Sequence, residues 1–168
     1  KIKAHVCLKI GFGGGGHSRL ILDALDANGR LFGFDQDADS QANAFPDERF
    51  TLIPENFRHA RNFLRLNGVR RIDGLLADLG VSSHQFDEGA RGFSTRFDAP
   101  LDMRMNQRDG LSAADIAATY TVEDLTRIFH LYGELKRPDK VAHAIARIRE
   151  DRHIARTGDL MEATQHLA

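Results

Sequence analysis

Short apolar runs alternate with helical patterns in the first half of the chain, and this alternation restricts the fold more than any other sequence feature. Apolar runs typical of strands occupy residues 5–10, 31–34, 50–53 and 72–76, and helical patterns occupy residues 17–25, 38–44 and 57–66. Strands that alternate with helices pair in parallel through right-handed crossovers. The sequence therefore predicts an α/β fold with a partial parallel sheet.

The rest of the chain follows different patterns. Residues 80–110 are rich in Gly, Ser, Asp and Arg, and an aperiodic segment of this length is typical of a functional loop or of a segment that folds on itself. Residues 111–168 have helical periodicity, and Ser112 and Thr121 are each followed three residues later by an aspartate, as N-cap residues often are. The predicted helix starts are N-caps at Ser112, Thr121 and Thr157 and a first helical position at Pro138.

No strand pattern follows Leu76, which leaves few strands for a doubly wound sheet. The last predicted strand would be an uncovered edge, and exposed apolar edges promote association. We expect either that the missing strands lie in a C-terminal part outside this chain or that another chain, as in a homodimer, covers the edge. The chain begins with Lys1 and not with Met, which suggests a start inside a longer protein.

Composition limits the partners. A net charge of −1 does not favour broad electrostatic attraction to nucleic acid, so such contacts must come from local basic patches. A single cysteine, Cys7, excludes an internal disulfide, fits a reducing cytoplasm and is predicted to be a buried structural thiol. Paired metal-ligand spacing is absent, so no metal is predicted. No apolar run approaches the roughly 20 residues that span a bilayer, so no membrane partner is predicted.

A glycine turn joins the first predicted strand to the first predicted helix. Gly11, Gly13 and Gly16 have the G-x-G-x-x-G spacing, and Asp35 closes the next strand. Backbone N–H groups at such a helix start bind an anion, either a pyrophosphate or a methionine carboxylate, and an acid like Asp35 accepts hydrogen bonds from ribose hydroxyls. The pattern does not distinguish NAD from S-adenosylmethionine. A tight structural turn with a solvated aspartate is the alternative interpretation.

Longer motifs also occur along the chain, at residues 13–19, 29–37, 73–87, 91–94, 100–105 and 132–134. In these segments the sequence resembles one known family, the bacterial methyltransferases that modify a cytosine N4 in 16S ribosomal RNA. The resemblance implies a Rossmann-like class I methyltransferase fold with an inserted all-helical subdomain and S-adenosylmethionine as the methyl donor. It assigns residues 1–110 to the cofactor-binding domain and residues 111–168 to the helical subdomain.

The resemblance also implies roles for individual residues. It places Gly15, Gly16 and His17 at the methionine end of the cofactor, Asp35 at the ribose, Phe57 on the adenine, and Asp78 and Gln85 beside the transfer site. One position departs from the family pattern, because Lys9 stands where the family usually has an acid at the end of the first strand. A cation there would oppose the sulfonium charge or displace the glycine turn.

Transfer to a cytosine amine requires a proton acceptor, since the amine lone pair is delocalised into the ring. Asp78 is the first candidate for this catalytic role, and a structural or cofactor-contacting aspartate is the alternative. His17 and His84 are weaker candidates. Recognition of an unstacked base needs aromatic surface, which Phe86 and Phe93 could supply unless they pack in the core. The predicted contacts to RNA phosphates are the arginines of the same segment, which nearby aspartates are expected to hold in place. The arginines are Arg91, Arg96, Arg104 and Arg108, and the aspartates are Asp98, Asp102 and Asp109.

Three functions therefore compete at this stage. The first is a cytoplasmic S-adenosylmethionine-dependent methyltransferase acting on 16S ribosomal RNA in the small ribosomal subunit. The second is a catalytically incomplete cofactor-binding or ribosome-binding fragment. The third is an NAD-dependent oxidoreductase that uses the same glycine turn, although no segment resembles a hydride-transfer site.

Overall fold

The computed structural model describes residues 5–108 and 110–165, with the backbone alone for His84. The chain divides into two compact units, residues 1–80 and residues 81–168. Each unit has its own apolar core, and each is described separately below.

The first unit is a parallel sheet with helices in its connections. Its elements are β1 (Val6–Ile10), α1 (Gly16–Ala24), β2 (Arg30–Phe34), α2 (Ala38–Gln41), β3 (Phe50–Ile53), a 3₁₀ helix (Phe57–His59), α3 (Ala60–Leu66) and β4 (Gly74–Ala77). The strand order is β3-β2-β1-β4, and every pair is parallel. The predicted partial parallel sheet is therefore confirmed, with β4 starting two residues later than expected.

Alternating side chains give the sheet two apolar faces. Leu8, Phe32 and Phe34 pack with Leu64 of α3 on one face. Leu31 packs with apolar residues of α1 on the other face, and Cys7 lies against that cluster. Burial raises the pKa of the Cys7 thiol, and the negative charge of Asp73 raises that pKa further, so the thiol is a poor nucleophile.

Strand β4 forms one edge of this sheet, as predicted. Leu75 is 58% exposed and Leu76 is 41% exposed, which is unusual for leucines in a parallel sheet. An aspartate holds the start of the strand in place, because Asp73 Oδ2 accepts hydrogen bonds from the backbone N–H groups of His5 and Val6, each at 2.9 Å. These contacts lower the pKa of Asp73.

The second unit is helical. Its elements are α4 (Ser83–Asp87), a 3₁₀ helix (Gly89–Arg91), α5 (Ala113–Thr119), α6 (Val122–Leu131), α7 (Pro138–Asp151) and α8 (Thr157–Thr164). Two short helices thus lie in the segment that lacked periodicity. The predicted starts at Ser112, Thr121 and Pro138 are confirmed, and Ser112 forms a reciprocal capping box with Asp115.

The predicted N-cap at Thr157 is wrong by one position. Arg156 is the N-cap of α8, and Thr157 is its first helical residue. The Thr157 hydroxyl donates to the carbonyl of Phe97 at 2.7 Å and accepts from the N–H of Ala99 at 3.0 Å. The Thr157 hydroxyl therefore holds the segment before Pro100 in place. Local sequence spacing could not indicate this contact.

The core of the second unit lies between the long helices. Its buried members are Leu101, Ala117, Leu125, Ala142, Ile145 and Ile154. Leu101 belongs to the segment before residue 110, and its N–H donates to the Ala155 carbonyl at 2.8 Å. Residues 81–110 thus cluster with the helices, and the division into functional domains at residue 110 stays a prediction. Within the described residues, no helix is both long and apolar enough to cross a membrane.

Candidate functional site

The candidate site lies where the strand order of the first unit changes direction. From β1 the chain proceeds to β2 and β3 on one side, and then returns to place β4 on the other side of β1. Open α/β sheets bind ligands at the carboxyl ends of the strands that flank such a switch point. The carboxyl end of β1 leads into the glycine turn, and that of β4 leads to Asp78.

The glycine turn is tight on its inner side and open on its outer side. Gly11 has a φ of +72°, and a Cβ added there would lie 2.1 Å from the Asp78 carbonyl oxygen. Gly15, the N-cap of α1, has a φ of +78°. At Gly13, Gly14 and Gly16 an added Cβ would meet no described atom within 4 Å. The turn therefore leaves space for a ligand beside the start of α1.

Asp35 at the end of β2 holds the turn in place. Its Oδ2 accepts hydrogen bonds from the N–H groups of Phe12 and Gly13, each at 2.9 Å, and its Oδ1 accepts from the Asp37 N–H at 3.0 Å. A carboxylate has about four lone-pair positions, so three bonds leave capacity for one more. The structure thus adds a role that the sequence did not reveal, and the ribose contact stays a prediction.

An aromatic cluster behind the turn was not predicted. The Phe12 ring is 4% exposed and stacks on Phe50 with centroids 5.3 Å apart. Phe50 stacks in turn on Phe45 at 4.9 Å, and the Arg19 guanidinium lies 4.2 Å from the Phe45 centroid. These rings come from three separate segments, so no local pattern indicated that they would meet. They support the turn from within the protein.

Three ionisable side chains lie close together at the carboxyl ends of β1 and β4. The Lys9 ammonium is 3.8 Å from Asp78 Oδ2, and His17 Nδ1 is 3.2 Å from the same oxygen. The side chains of Asp78 and His17 are about 59% and 60% exposed, whereas Lys9 is fully buried. The structure therefore brings the predicted residues Asp78 and His17 together and adds Lys9 to them.

Lys9 directs its charge towards the glycine turn. Its Nζ donates to the Ile10 carbonyl at 3.0 Å and also to the Gly11 carbonyl. Burial lowers the pKa of Lys9, while the negative charges of Asp78 and Asp35 oppose that shift. The sequence identified Lys9 only as a departure from the family pattern, and these contacts depend on the tertiary structure.

Phe57 lies near the carboxyl end of β3 and is 45% exposed. The preceding residue, Asn56, caps the 3₁₀ helix, and its side-chain amide donates to Gln36 Oε1 at 3.0 Å. Gln36 directly follows Asp35, so this bond connects the ends of β2 and β3. An exposed ring at this position is compatible with adenine packing, which stays a prediction.

Two predicted site residues of the second unit are buried. Gln85 is 5% exposed, and its Oε1 accepts from the Ser82 N–H at 2.9 Å. Arg91 is 7% exposed, and its Nη2 donates to the carbonyls of Arg104 at 2.9 Å and Met105 at 3.3 Å. These contacts give both side chains a structural role within the unit, and their roles towards ligand or RNA stay predictions.

The remaining candidates of the second unit differ in exposure. Phe86 is 41% exposed, and Phe93 is partly buried with its ring centroid 5.7 Å from the Arg91 guanidinium. The Arg96 side chain is 67% exposed and lies 3.4 Å from an oxygen of Asp87. Phe86 and Arg96 are thus accessible for the predicted RNA contacts.

Aspartates were expected to hold the loop arginines. Asp102 does so, because Arg104 donates to both of its carboxylate oxygens at 3.0 and 2.8 Å. Asp98 instead pairs with Arg156, which is near the start of α8, with 2.6 Å between Nε and Oδ2. Asp109 lies outside the described residues. Among the described residues, no three His, Cys, Asp or Glu side chains form a group that could hold a metal ion.

The sheet order, the glycine turn at the switch point and the acid at the end of the adjacent strand define a Rossmann-like domain, a class that binds nucleoside cofactors at this position. The sequence matches the profile of the MraW methylase family over residues 3–168. The chain therefore belongs to the MraW methylase family.

Curated relatives agree with this family. The ribosomal RNA small subunit methyltransferase H of Flavobacterium psychrophilum is 56% identical over 157 residues, which cover 94% of this chain and 54% of the relative. The protein of the same name from Flavobacterium johnsoniae is 55% identical, with 94% and 52% covered, and that from Phocaeicola vulgatus is 53% identical, with 93% and 51% covered. The chain thus spans about half the length of the curated relatives it matches.

Proposed function

We propose that this chain is the cofactor-binding part of an S-adenosylmethionine-dependent methyltransferase that modifies the N4 amine of a cytosine in 16S ribosomal RNA. The observation that carries the proposal is the family match across residues 3–168. Relatives that are 53% to 56% identical are named as methyltransferases of small-subunit ribosomal RNA. The partner would accordingly be the small ribosomal subunit or its RNA, and the location would be cytoplasmic.

Several residues fit the donor. The open side of the glycine turn and the N-terminus of α1 suit the carboxylate of the donor. The remaining lone pair of Asp35 suits a ribose hydroxyl, which can donate to it. The exposed ring of Phe57 offers a flat apolar surface for adenine. When bound, S-adenosylmethionine supplies an electrophilic methyl group. The buried ammonium of Lys9 is the one feature that does not suit its sulfonium charge.

The proposed proton acceptor is Asp78. Its side chain is about 59% exposed at the carboxyl end of β4, so a substrate amine can approach it. The Lys9 ammonium and the His17 imidazole both lie near Oδ2 and hold the carboxylate in position. A hydrogen bond from the cytosine amine to this carboxylate would orient the nitrogen lone pair and remove the proton as the new N–C bond forms.

The RNA would be contacted through exposed groups of the second unit. Phe86 can stack on an unpaired base, and Arg96 can pair with a phosphate. A net charge of −1 limits any contribution from a general electrostatic field. We expect Arg96→Gln to weaken RNA binding by about tenfold and to reduce the salt dependence of binding by about one phosphate contact.

The first test is a calorimetric titration of this chain with S-adenosylmethionine, with NAD as the control. Binding of the methyl donor and not of NAD is expected. Binding of NAD alone would instead support the oxidoreductase. Binding of neither compound would limit this chain to a fragment without a working cofactor site.

The second test is methyl transfer by the protein at the length of its relatives. Small ribosomal subunits from cells lacking the protein are incubated with labelled donor, and the RNA is digested to nucleosides. N4-methylcytidine is the expected product, and Asp78→Asn is expected to lower the rate by about a hundredfold or more. The matched control is Asp23→Asn, an exposed aspartate on α1 of the same unit. Equal rates for the two variants would exclude Asp78 as the proton acceptor.

A homodimer formed across β4 is a further proposal, because Leu75 and Leu76 are exposed at that edge. Sedimentation of the protein at the length of its relatives tests it. A dimer that dissociates when Leu75 is changed to Lys is the expected result. A monomer at all concentrations would contradict the proposal.

A further inference from the structure

Lys9 is a buried cation in a central strand, at the point where the sheet is expected to bind its ligand. It is 0% exposed, and it pairs in register with Gly33 of β2 and Leu76 of β4. Lysine is almost never fully buried unless its charge is paired. The position thus requires a physical account that the proposed reaction does not provide.

The pairing of this charge is incomplete. Its nearest carboxylate oxygen, Asp78 Oδ2, is 3.8 Å away, and the Asp78 side chain is about 59% exposed. Solvent therefore screens the negative partner more than it screens the buried ammonium. The other contacts of Nζ are the carbonyls of Ile10 and Gly11, which are neutral dipoles at the start of the glycine turn. Lys9 therefore brings a buried ammonium to the base of the crevice, and the negative charges of Asp78 and Asp35 offset it in part.

We propose that Lys9 makes this crevice selective for an uncharged adenosyl thioether over an adenosyl sulfonium, so that S-adenosylhomocysteine binds more tightly than S-adenosylmethionine. The inference rests on the proposed function only in assuming an adenosyl ligand. The two compounds share the adenosine, the carboxylate and the amine, and differ in the methyl group and the sulfur charge. Lys9 is therefore a specificity-determining residue that acts on the charge of the ligand.

The expected size of the preference follows from electrostatics. At an effective dielectric constant of about 20, two like charges change a binding constant by roughly a hundredfold at about 6 Å and by roughly tenfold at about 12 Å. The carboxylate of Asp78 offsets part of this repulsion. We expect the sulfonium to bind at least about tenfold more weakly than the thioether because of Lys9.

The experiment compares dissociation constants by calorimetry for S-adenosylmethionine, S-adenosylhomocysteine and adenosine. It uses the unchanged chain, Lys9→Met, which removes the charge and keeps the side-chain length, and Lys140→Met, the same change at an exposed lysine of α7. The ratio of the sulfonium constant to the thioether constant is expected to fall about tenfold in Lys9→Met and to stay unchanged in Lys140→Met. Adenosine binding is expected to stay within about twofold in all three proteins.

A pH series on the unchanged chain gives the same information without a substitution. Burial lowers the pKa of Lys9 below the ordinary value of about 10, so the ratio is expected to fall as the pH rises from neutrality. The charged or titratable groups that face Lys9 are Asp35 at the end of β2, Asp78 at the end of β4, and His17 of α1 through Asp78. Repeating the series in His17→Gln separates any contribution of the imidazole.

The outcomes distinguish the inference from the proposed function. If the ratio of the two dissociation constants is the same in the unchanged chain and in Lys9→Met, the role of Lys9 is overturned and the proposed function stays intact. If Lys9→Met does not fold, a ratio in the unchanged chain that does not vary with pH has the same meaning. Failure of all three proteins to bind any of the three compounds overturns the adenosyl site itself, and the inference with it. A ratio that falls in Lys9→Met and not in Lys140→Met supports the inference.

Discussion

Replacing Gly11 by alanine should open the junction between β1 and β4, and the structure allows the effect to be separated into two parts. The first part is conformational, because Gly11 has a φ of +72°. The second part is a collision, because the new Cβ would lie 2.1 Å from the backbone oxygen of Asp78 and 3.2 Å from its carbonyl carbon. Both contacts involve backbone atoms, which cannot rotate away.

Gly13→Ala supplies the matched control. Gly13 also has a positive φ, of +55°, but its added Cβ would meet no described atom within 4 Å. A left-handed conformation costs a residue with a side chain about 1–2 kcal/mol, and this cost applies to both variants. Overpacking costs about 1–3 kcal/mol more, and it applies to Gly11→Ala alone. We therefore expect Gly11→Ala to be destabilised by about 3 kcal/mol and Gly13→Ala by about 1 kcal/mol.

Urea unfolding followed by far-ultraviolet circular dichroism measures this difference, since the chain has no tryptophan for fluorescence. Amide exchange then locates it. The Asp78 N–H donates to the Ile10 carbonyl at 3.0 Å, so it reports on the β1–β4 junction directly. Its protection should fall in Gly11→Ala and persist in Gly13→Ala. Equal free energies of unfolding for the two variants would refute the argument from close backbone approach.

Three further perturbations test the second unit. Ser112→Ala removes the capping box with Asp115 and should reduce the free energy of unfolding by about 1 kcal/mol, measured in urea, whereas Ser112→Asp should retain most of it. Asp102→Asn should weaken the acid sensitivity of this unit. Arg104 holds the pKa of the Asp102 carboxyl below its usual value. The ion pair therefore stabilises the folded unit fully at pH values above the unfolded pKa of about 3.9, and this stabilisation is lost as the pH falls through the lower folded pKa. Circular dichroism measured against pH should show a smaller acid-induced loss of stability in the variant than in the unchanged chain. An acid transition that is the same in both would contradict this. Leu125→Ala, at a residue that is 1% exposed in the core, should cost about 2–5 kcal/mol, and a cost below about 1 kcal/mol would mean that the core closes around the cavity.

Local patterns determined much of the architecture. Apolar runs that alternate with helical patterns predicted all four strands of the described sheet, because this alternation is a local property typical of parallel sheets. Ser112 and Thr121 marked their helix starts, since capping depends on residues only three positions apart. The glycine spacing located the turn for the same reason.

Local patterns did not predict contacts between residues that are distant in sequence. The short helix α4 lies in a segment without periodicity, and helices of that length take their stability from tertiary packing more than from propensity. The sequence predicted that Arg91 contacts RNA phosphates and did not reveal that it is buried, with the carbonyls of Arg104 and Met105 accepting its hydrogen bonds. The sequence predicted Thr157 as an N-cap, but its hydroxyl instead donates a hydrogen bond to the backbone carbonyl of Phe97.

The candidate site shows the same division. The sequence by itself determined which residues reach the carboxyl ends of the strands, because strand and turn positions are local properties. Only the tertiary structure decided that Asp35 accepts three hydrogen bonds from backbone N–H groups, and that Lys9 is buried beside Asp78. The physical reason is that burial and charge pairing depend on strands β1, β2 and β4 meeting at one edge, and residues distant in sequence acquire their pKa values and partners only there.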